Sequence, residues 1–193
     1  MSDPAGRIIR RIAVYPGKLI SRTGITPNQI TVIGLFINCL VAFFIARGKL
    51  TYAQTGILIW GAGFVDALDG SVARASGKTS VLGGFLDSVL DRYADSVIYF
   101  GILLLFLNQG KTVFVLWTAV AGAGSLIVSY VRAKAESLEQ TCEVGFMPRT
   151  VRIIVLGAGF FAGIPLPAII LIGLVSHLTV FQRIHHIHAK LRG

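Results

Sequence analysis

Along the chain, long apolar runs alternate with short polar connections. The runs fall near residues 30–46, 52–73, 84–107, 112–133, 150–163 and 165–182, the fifth being the shortest. A helix rises 1.5 Å per residue, so about 20 apolar residues cross roughly 30 Å of hydrocarbon. The pattern predicts an all-α integral membrane protein with six transmembrane helices.

Ahead of the first run, "GRIIRRIAVYPGKLISRTG" mixes Ile, Val and Leu with Arg and Lys. That mixture predicts an amphipathic helix lying in the membrane interface, over residues 1–25; a basic topology anchor is the plainer alternative. "GITPNQIT" then turns the chain inward, with Pro27 as punctuation and Thr26 or Asn28 as the cap of the next helix. No repeat or composition shift divides the remainder, so residues 1–193 read as one membrane domain whose six-helix core spans 26–193. Gly122 and Gly124, and Gly157, Gly159 and Gly163, suit close helix packing.

Composition agrees with this reading. The chain is 54% hydrophobic and only 14% charged, against about 25% charged in soluble domains. Its net charge of +9 could suggest nucleic acid, but the basic residues follow the loops instead of gathering on one soluble face. Fourteen lie in the N-terminal segment, the loops after the second and fourth runs, and the tail; the opposite loops hold only Arg47, Lys49 and Lys111. The positive-inside rule then makes both termini cytoplasmic, which requires an even number of spans. This predicts a multi-pass cell-membrane protein with no nucleic-acid partner. No small-residue cleavage site follows the first run, so it is expected to be retained. Cys39 lies in an apolar run and Cys142 in a loop, which predicts neither a disulfide nor a Cys-ligated metal.

The acidic residues carry the chemistry. Five of nine, Asp66, Asp69, Asp87, Asp91 and Asp95, flank the junction of the second and third runs. Spacings of three and four residues place Asp66 with Asp69, and Asp87 with Asp91, on common helix faces. Antiparallel neighbours would gather all four near the cytoplasmic interface. A charged residue costs about 2.5–3.5 kcal/mol at mid-helix, so such a cluster demands cations. Arg74 and Arg92 could neutralise two; hard oxygen ligands in a cluster suit Mg²⁺ or Mn²⁺, and two bound ions would clamp a phosphoryl transfer. A buried ion-pair network and a cation channel or transporter are the competing readings. "ARASGKTS" is not a phosphate-binding loop, because Val72 stands where that motif needs glycine.

Asp66-x2-Asp69-Gly70-x2-Ala73-Arg74-x8-Gly83-x3-Asp87-x3-Asp91 resembles the signature of the CDP-alcohol phosphotransferase family at all eight fixed positions. The resemblance implies that Asp66, Asp69, Asp87 and Asp91 hold two divalent ions, Mg²⁺ or Mn²⁺, which grip the diphosphate of a CDP-linked lipid. It further implies that Asp91 takes the proton of an incoming alcohol and that CMP leaves. Asn28, Thr31, Gly70, Ala73, Arg74 and Ser80 match positions that bind the CDP moiety, and family members are homodimers.

Within the family, "VSYVRAKAE" and "GFMPRTVR" resemble the text of phosphatidylinositol-phosphate synthases. Those enzymes join CDP-diacylglycerol to inositol 1-phosphate. Arg132, Lys134, Arg149 and Arg152 would then bind the acceptor's phosphate, with positive-inside charge as the alternative account. Pro148 and Val151 replace the usual glutamates, which keeps glycerol 3-phosphate, and hence a phosphatidylglycerophosphate synthase, as the rival. The lipid anchor, diacylglycerol or an archaeal ether core, is left open. Asp95 is expected to position Arg92 or a water, and His185, His186 and His188 to form a basic interfacial tail.

Overall fold

A computed structural model describes residues 4–21, 25–76 and 80–192; the side chains of Asp69, Gly70, Ala73 and Arg74 lie outside the described set. The described residues form seven helices and no strand: α1 (Pro4–Ser21), α2 (Pro27–Ala46), α3 (Tyr52–Ser76), α4 (Val81–Asn108), α5 (Thr112–Glu136), α6 (Arg149–Phe161) and α7 (Pro165–Arg192). The helix order matches the hydropathy pattern. Three helices, α2, α5 and α7, are long and apolar enough to cross a membrane by composition alone. The helices α3 and α4 have the length but carry the carboxylates, whereas α6 has only 13 residues, about 20 Å of rise.

Local sequence sets the helix ends. Thr26 caps α2: its hydroxyl accepts from the Gln29 amide and Gln29 Oε1 accepts from the Thr26 amide, with Pro27 at the first turn. Asn28 is therefore not the cap, and its exposed amide group is left for other contacts. Ser80 caps α4 by accepting from Gly83 N at 3.0 Å.

Packing pairs α2 with α4, α5 with α7, α1 with α3 and α3 with α6. Small residues permit the approach: a Cβ on Gly56 would lie 2.5 Å from Gly157 O, and one on Gly101 would lie 2.6 Å from Ala42 O. The core is built from Ile45, Ile59, Ile102, Phe106, Phe160 and Ile172. Outward faces stay apolar, as on α2 with Val32, Ile33, Phe36, Leu40, Phe43 and Phe44, which suits a lipid solvent rather than water. In α1, Ile8, Ile12, Tyr15 and Leu19 form an exposed apolar stripe while Ala13 is buried.

Contacts sort the helix ends into two groups. Asn108 donates to Ala46 O and Lys111 Nζ reaches Tyr52 Oη, so these termini share one end. The carboxylates, the caps at Thr26 and Ser80 and the α5–α6 loop occupy the other. That loop is strapped to α7. Arg183, 5% exposed, donates to Val144 O and Val128 O, and the Met147 amide donates to Thr179 Oγ1. Gly145 adopts φ +118, and a Cβ there would meet Thr179 Cγ2 at 2.3 Å; both facts require glycine.

Candidate active site

The last turns of α3 and the first turns of α4 bring Asp66, Asp87, Asp91 and Asp95 to the same end of the bundle. Asp87, Asp91 and Asp95 line an open cavity of about 730 Å³, floored by the α5–α6 loop. Asp66 lines a small cavity of about 30 Å³ with Asn38, Asp95, Tyr99 and Arg152. Such a space holds about one water. Asn38, 3% exposed in the middle of α2, donates to Asp66 Oδ1 at 3.0 Å and to Gly34 O at 2.9 Å.

Asp95 and Arg152 line both cavities, and the guanidinium of Arg149 lines the larger one. It contacts Asp66 Oδ2 at 2.6 Å, Asp91 Oδ1 at 2.8 Å and Asp95 Oδ1 at 3.0 Å. One cation reaching three carboxylates marks the point where positive charge is most strongly favoured. Carboxylate oxygens are the donors that Mg²⁺ or Mn²⁺ prefers; among the described residues no three of them stand together as a ready-made metal-ligand group, and the Asp69 side chain lies outside that set.

Three of the four expected cations, Arg132, Arg149 and Arg152, line the open cavity, and each already has a partner within the protein. Arg149 sits on the carboxylates. Arg152 is buried, donating to Met147 O, Ser129 Oγ and Asp95 Oδ2. Arg132 lines the open cavity but pairs with Glu136 one turn away, and Lys134 is not among the lining residues. Arg92 turns back to Ser88 O, so Asp95 holds Arg149 and Arg152 rather than Arg92. Arg7 and Arg183, which sequence reasoning did not place here, also line the cavity.

At the neighbouring corner, Asn28 and Ser80 converge on Gly83. A Cβ at Gly83 would lie 3.0 Å from Ser80 Oγ and 3.1 Å from Asn28 Oδ1. The signature glycine is thus the residue that lets α2 and α4 bring two polar side chains together. Thr31, a turn further along α2, is buried and donates to Pro27 O. Asp69, Gly70, Ala73 and Arg74 fall in the same part of α3, their side chains outside the described set.

Residues 24–186 match the CDP-alcohol phosphatidyltransferase family. The chain belongs to that family. It is 38% identical over 178 residues to the archaetidylinositol phosphate synthase of Pyrococcus horikoshii, covering 91% of this chain and 90% of the relative. With the enzyme of the same name from Methanothermobacter thermautotrophicus it shares 35% identity over 191 residues, covering 96% and 93%. The crystal structure of Mycobacterium tuberculosis phosphatidylinositol phosphate synthase with CDP-DAG bound superposes with a TM-score of 0.80 at 25% identity, over 92% of this chain and 94% of that one. The same mycobacterial enzyme in complex with manganese and citrate gives 0.81 at 24% identity, over 91% and 88%. This phosphatidyltransferase is therefore a helical membrane enzyme of known architecture.

Proposed function

We propose that this phosphatidyltransferase moves a phosphatidyl-type group from a CDP-linked lipid to inositol 1-phosphate and releases CMP. The observation that carries the reading is the carboxylate cluster opening onto an arginine-lined cavity. Names of the two archaeal relatives support inositol phosphate as the acceptor.

In this reading Asp66, Asp69, Asp87 and Asp91 hold two divalent ions, Mg²⁺ or Mn²⁺. When bound, these ions supply charge neutralisation for the donor's diphosphate and for the departing CMP. Asn28, Thr31, Ser80, Gly70, Ala73 and Arg74 seat the CDP moiety. Asp91, on the open cavity, accepts the proton of the acceptor hydroxyl. The hydroxyl oxygen then forms a bond to the lipid-bearing phosphorus as the bond from that phosphorus to CMP breaks. Arg132 and Arg149, with Arg7 and Arg183 around them, attract the acceptor's phosphate.

The enzyme works as one domain over residues 1–193. All six helices α2 to α7 span the bilayer, with the short α6 crossing where α3 and α7 cover it. The apolar stripe of α1 lies in the interface, and both termini and the cavity face the cytoplasm, supported by the basic residues at the cavity end. The family reading makes the protein a homodimer, which crosslinking in native membranes tests.

Competition among acceptors tests the assignment. Purified protein with a CDP-lipid and Mg²⁺ should release CMP fastest with inositol 1-phosphate, ahead of glycerol 3-phosphate, free inositol and serine. Preference for glycerol 3-phosphate would keep the reaction and overturn the acceptor. Ion flux through liposomes without CMP release would support the channel reading instead.

A further inference from the structure

Arg149 spends all three guanidinium nitrogens on carboxylates from two helices: Nη2 on Asp66, Nη1 on Asp91 and Nε on Asp95. Asp66 and Asp91 belong to the eight-residue signature; Asp95, one turn further along α4, does not. Two of these contacts therefore occupy oxygens that a divalent ion needs, and the third does not. A dication and a guanidinium on the same carboxylates would repel at short range, with little solvent between them to screen the charge.

We propose that Arg149 is a two-position residue pivoting on Asp95. It competes with the divalent metal for Asp66 and Asp91 and, once displaced, takes the acceptor's phosphate, so that metal and acceptor bind cooperatively. The proposal rests on the metal reading given above.

Three observations support the pivot. Arg149 is the first residue of α6, directly after Pro148, and its side chain already lines the open cavity. Asp95 is itself fixed, because its second oxygen accepts from Arg152 Nη2 at 3.4 Å. Arg152 in turn is 3% exposed at its side chain and held by Met147 O and Ser129 Oγ, so it stays while Arg149 moves. Asp95 is thus a positioning residue, acting through Arg149. Because linkage is reciprocal, an acceptor that draws Arg149 off the carboxylates must tighten metal binding by the same factor that metal tightens acceptor binding.

The test is Mn²⁺ binding to the full-length protein in detergent, followed by electron paramagnetic resonance without donor lipid, so that no turnover occurs. In the wild type, saturating inositol 1-phosphate should lower the Mn²⁺ Kd about tenfold, within the usual range of site-to-site coupling. Arg149→Ala and Arg149→Lys should bind Mn²⁺ more tightly than wild type in the absence of inositol 1-phosphate, and neither should respond to it. The lysine variant keeps the charge but cannot span both carboxylates, which separates geometry from net charge. Asp95→Asn should weaken the response and Asp95→Glu restore it. Equal coupling in wild type and Arg149→Lys, or unchanged Mn²⁺ affinity in both Arg149 variants, overturns the pivot while leaving the metal site intact. Failure of every form to bind Mn²⁺ overturns the metal reading and the pivot with it.

Discussion

Asn38 Nδ2 lies 3.0 Å from Asp66 Oδ1, a hydrogen bond between the middle of α2 and the carboxylate end of α3. Gly34 makes room for it, since a Cβ there would stand 3.2 Å from the same oxygen. The amide fixes one carboxylate oxygen and leaves the other for a cation. Partners that orient a metal ligand in this way are worth roughly 10–100-fold in metal affinity. Asn38→Leu should therefore raise the Mn²⁺ or Mg²⁺ concentration needed for half-maximal CMP release by about that factor, with the protein still folded by size-exclusion chromatography. An unchanged metal requirement would make the contact one of packing alone.

Asp66 and Asp91 occupy different surroundings, and their variants should differ accordingly. Asp66 is 8% exposed at its side chain, against 23% for Asp91 on the open cavity. Asp66→Asn should lose metal and CDP-lipid binding together. Asp91→Asn should lose turnover while much of the donor binding remains, because a base acts on the alcohol. Donor binding measured by calorimetry separates them, and equal losses would make Asp91 chiefly a ligand.

The two arginines of "RTVR" should also part company. Arg149→Ala should raise the acceptor KM far more than the donor KM; charge-assisted hydrogen bonds of about 1.5–3 kcal/mol correspond to roughly ten- to hundredfold in acceptor kcat/KM. Arg152→Ala should instead lower thermal stability, since it removes the inner of Asp95's two cationic partners and leaves Met147 O without its guanidinium donor. Thermal unfolding alongside acceptor kinetics checks both, and a selective acceptor defect in the Arg152 variant with wild-type stability would place that residue in the substrate site.

Much of this site was legible in the sequence because it depends on local spacing. Asp66, Asp87 and Asp91 reach one end of the bundle because a short connection returns the chain there. The helices α3 and α4 are not the packed antiparallel neighbours that the spacing predicts, however, since each packs on α2 instead. The long apolar runs near 112–133 and 165–182 became α5 and α7. What could not be read is tertiary. Arg149 meets Asp66 across 83 residues of chain, and no periodicity predicts such a pairing. Arg132, Lys134 and Arg152 looked like Arg149 in sequence, but Arg152 is buried against Met147 O and Ser129 Oγ while Arg132 stays exposed. Asn38 did carry a signal, as a lone amide inside an apolar run, where an unpaired polar group is costly.

Helix contacts make a separate forecast. Gly56→Ala would press a methyl group into Gly157 O and Phe161 N, which lie 2.5 and 2.6 Å from the new carbon. Neither backbone atom can rotate away, and overpacking of this kind costs about 1–3 kcal/mol. The variant should unfold at lower temperature in detergent while its metal and acceptor requirements, set at the other end of α3, stay as in the wild type. Unchanged melting would show that α3 and α6 separate easily at this point.

The most direct measurement is the mass of the lipid product. Full-length protein in lipid vesicles, given a CDP-linked lipid, inositol 1-phosphate and Mg²⁺, should form a lipid that carries inositol and two phosphates, in amounts equal to the CMP released. Exhaustive EDTA treatment should abolish both products, and added Mn²⁺ or Mg²⁺ should restore them. A product that lacks the acceptor's phosphate, or one that still forms after EDTA treatment, would contradict divalent-metal transfer to a phosphorylated inositol.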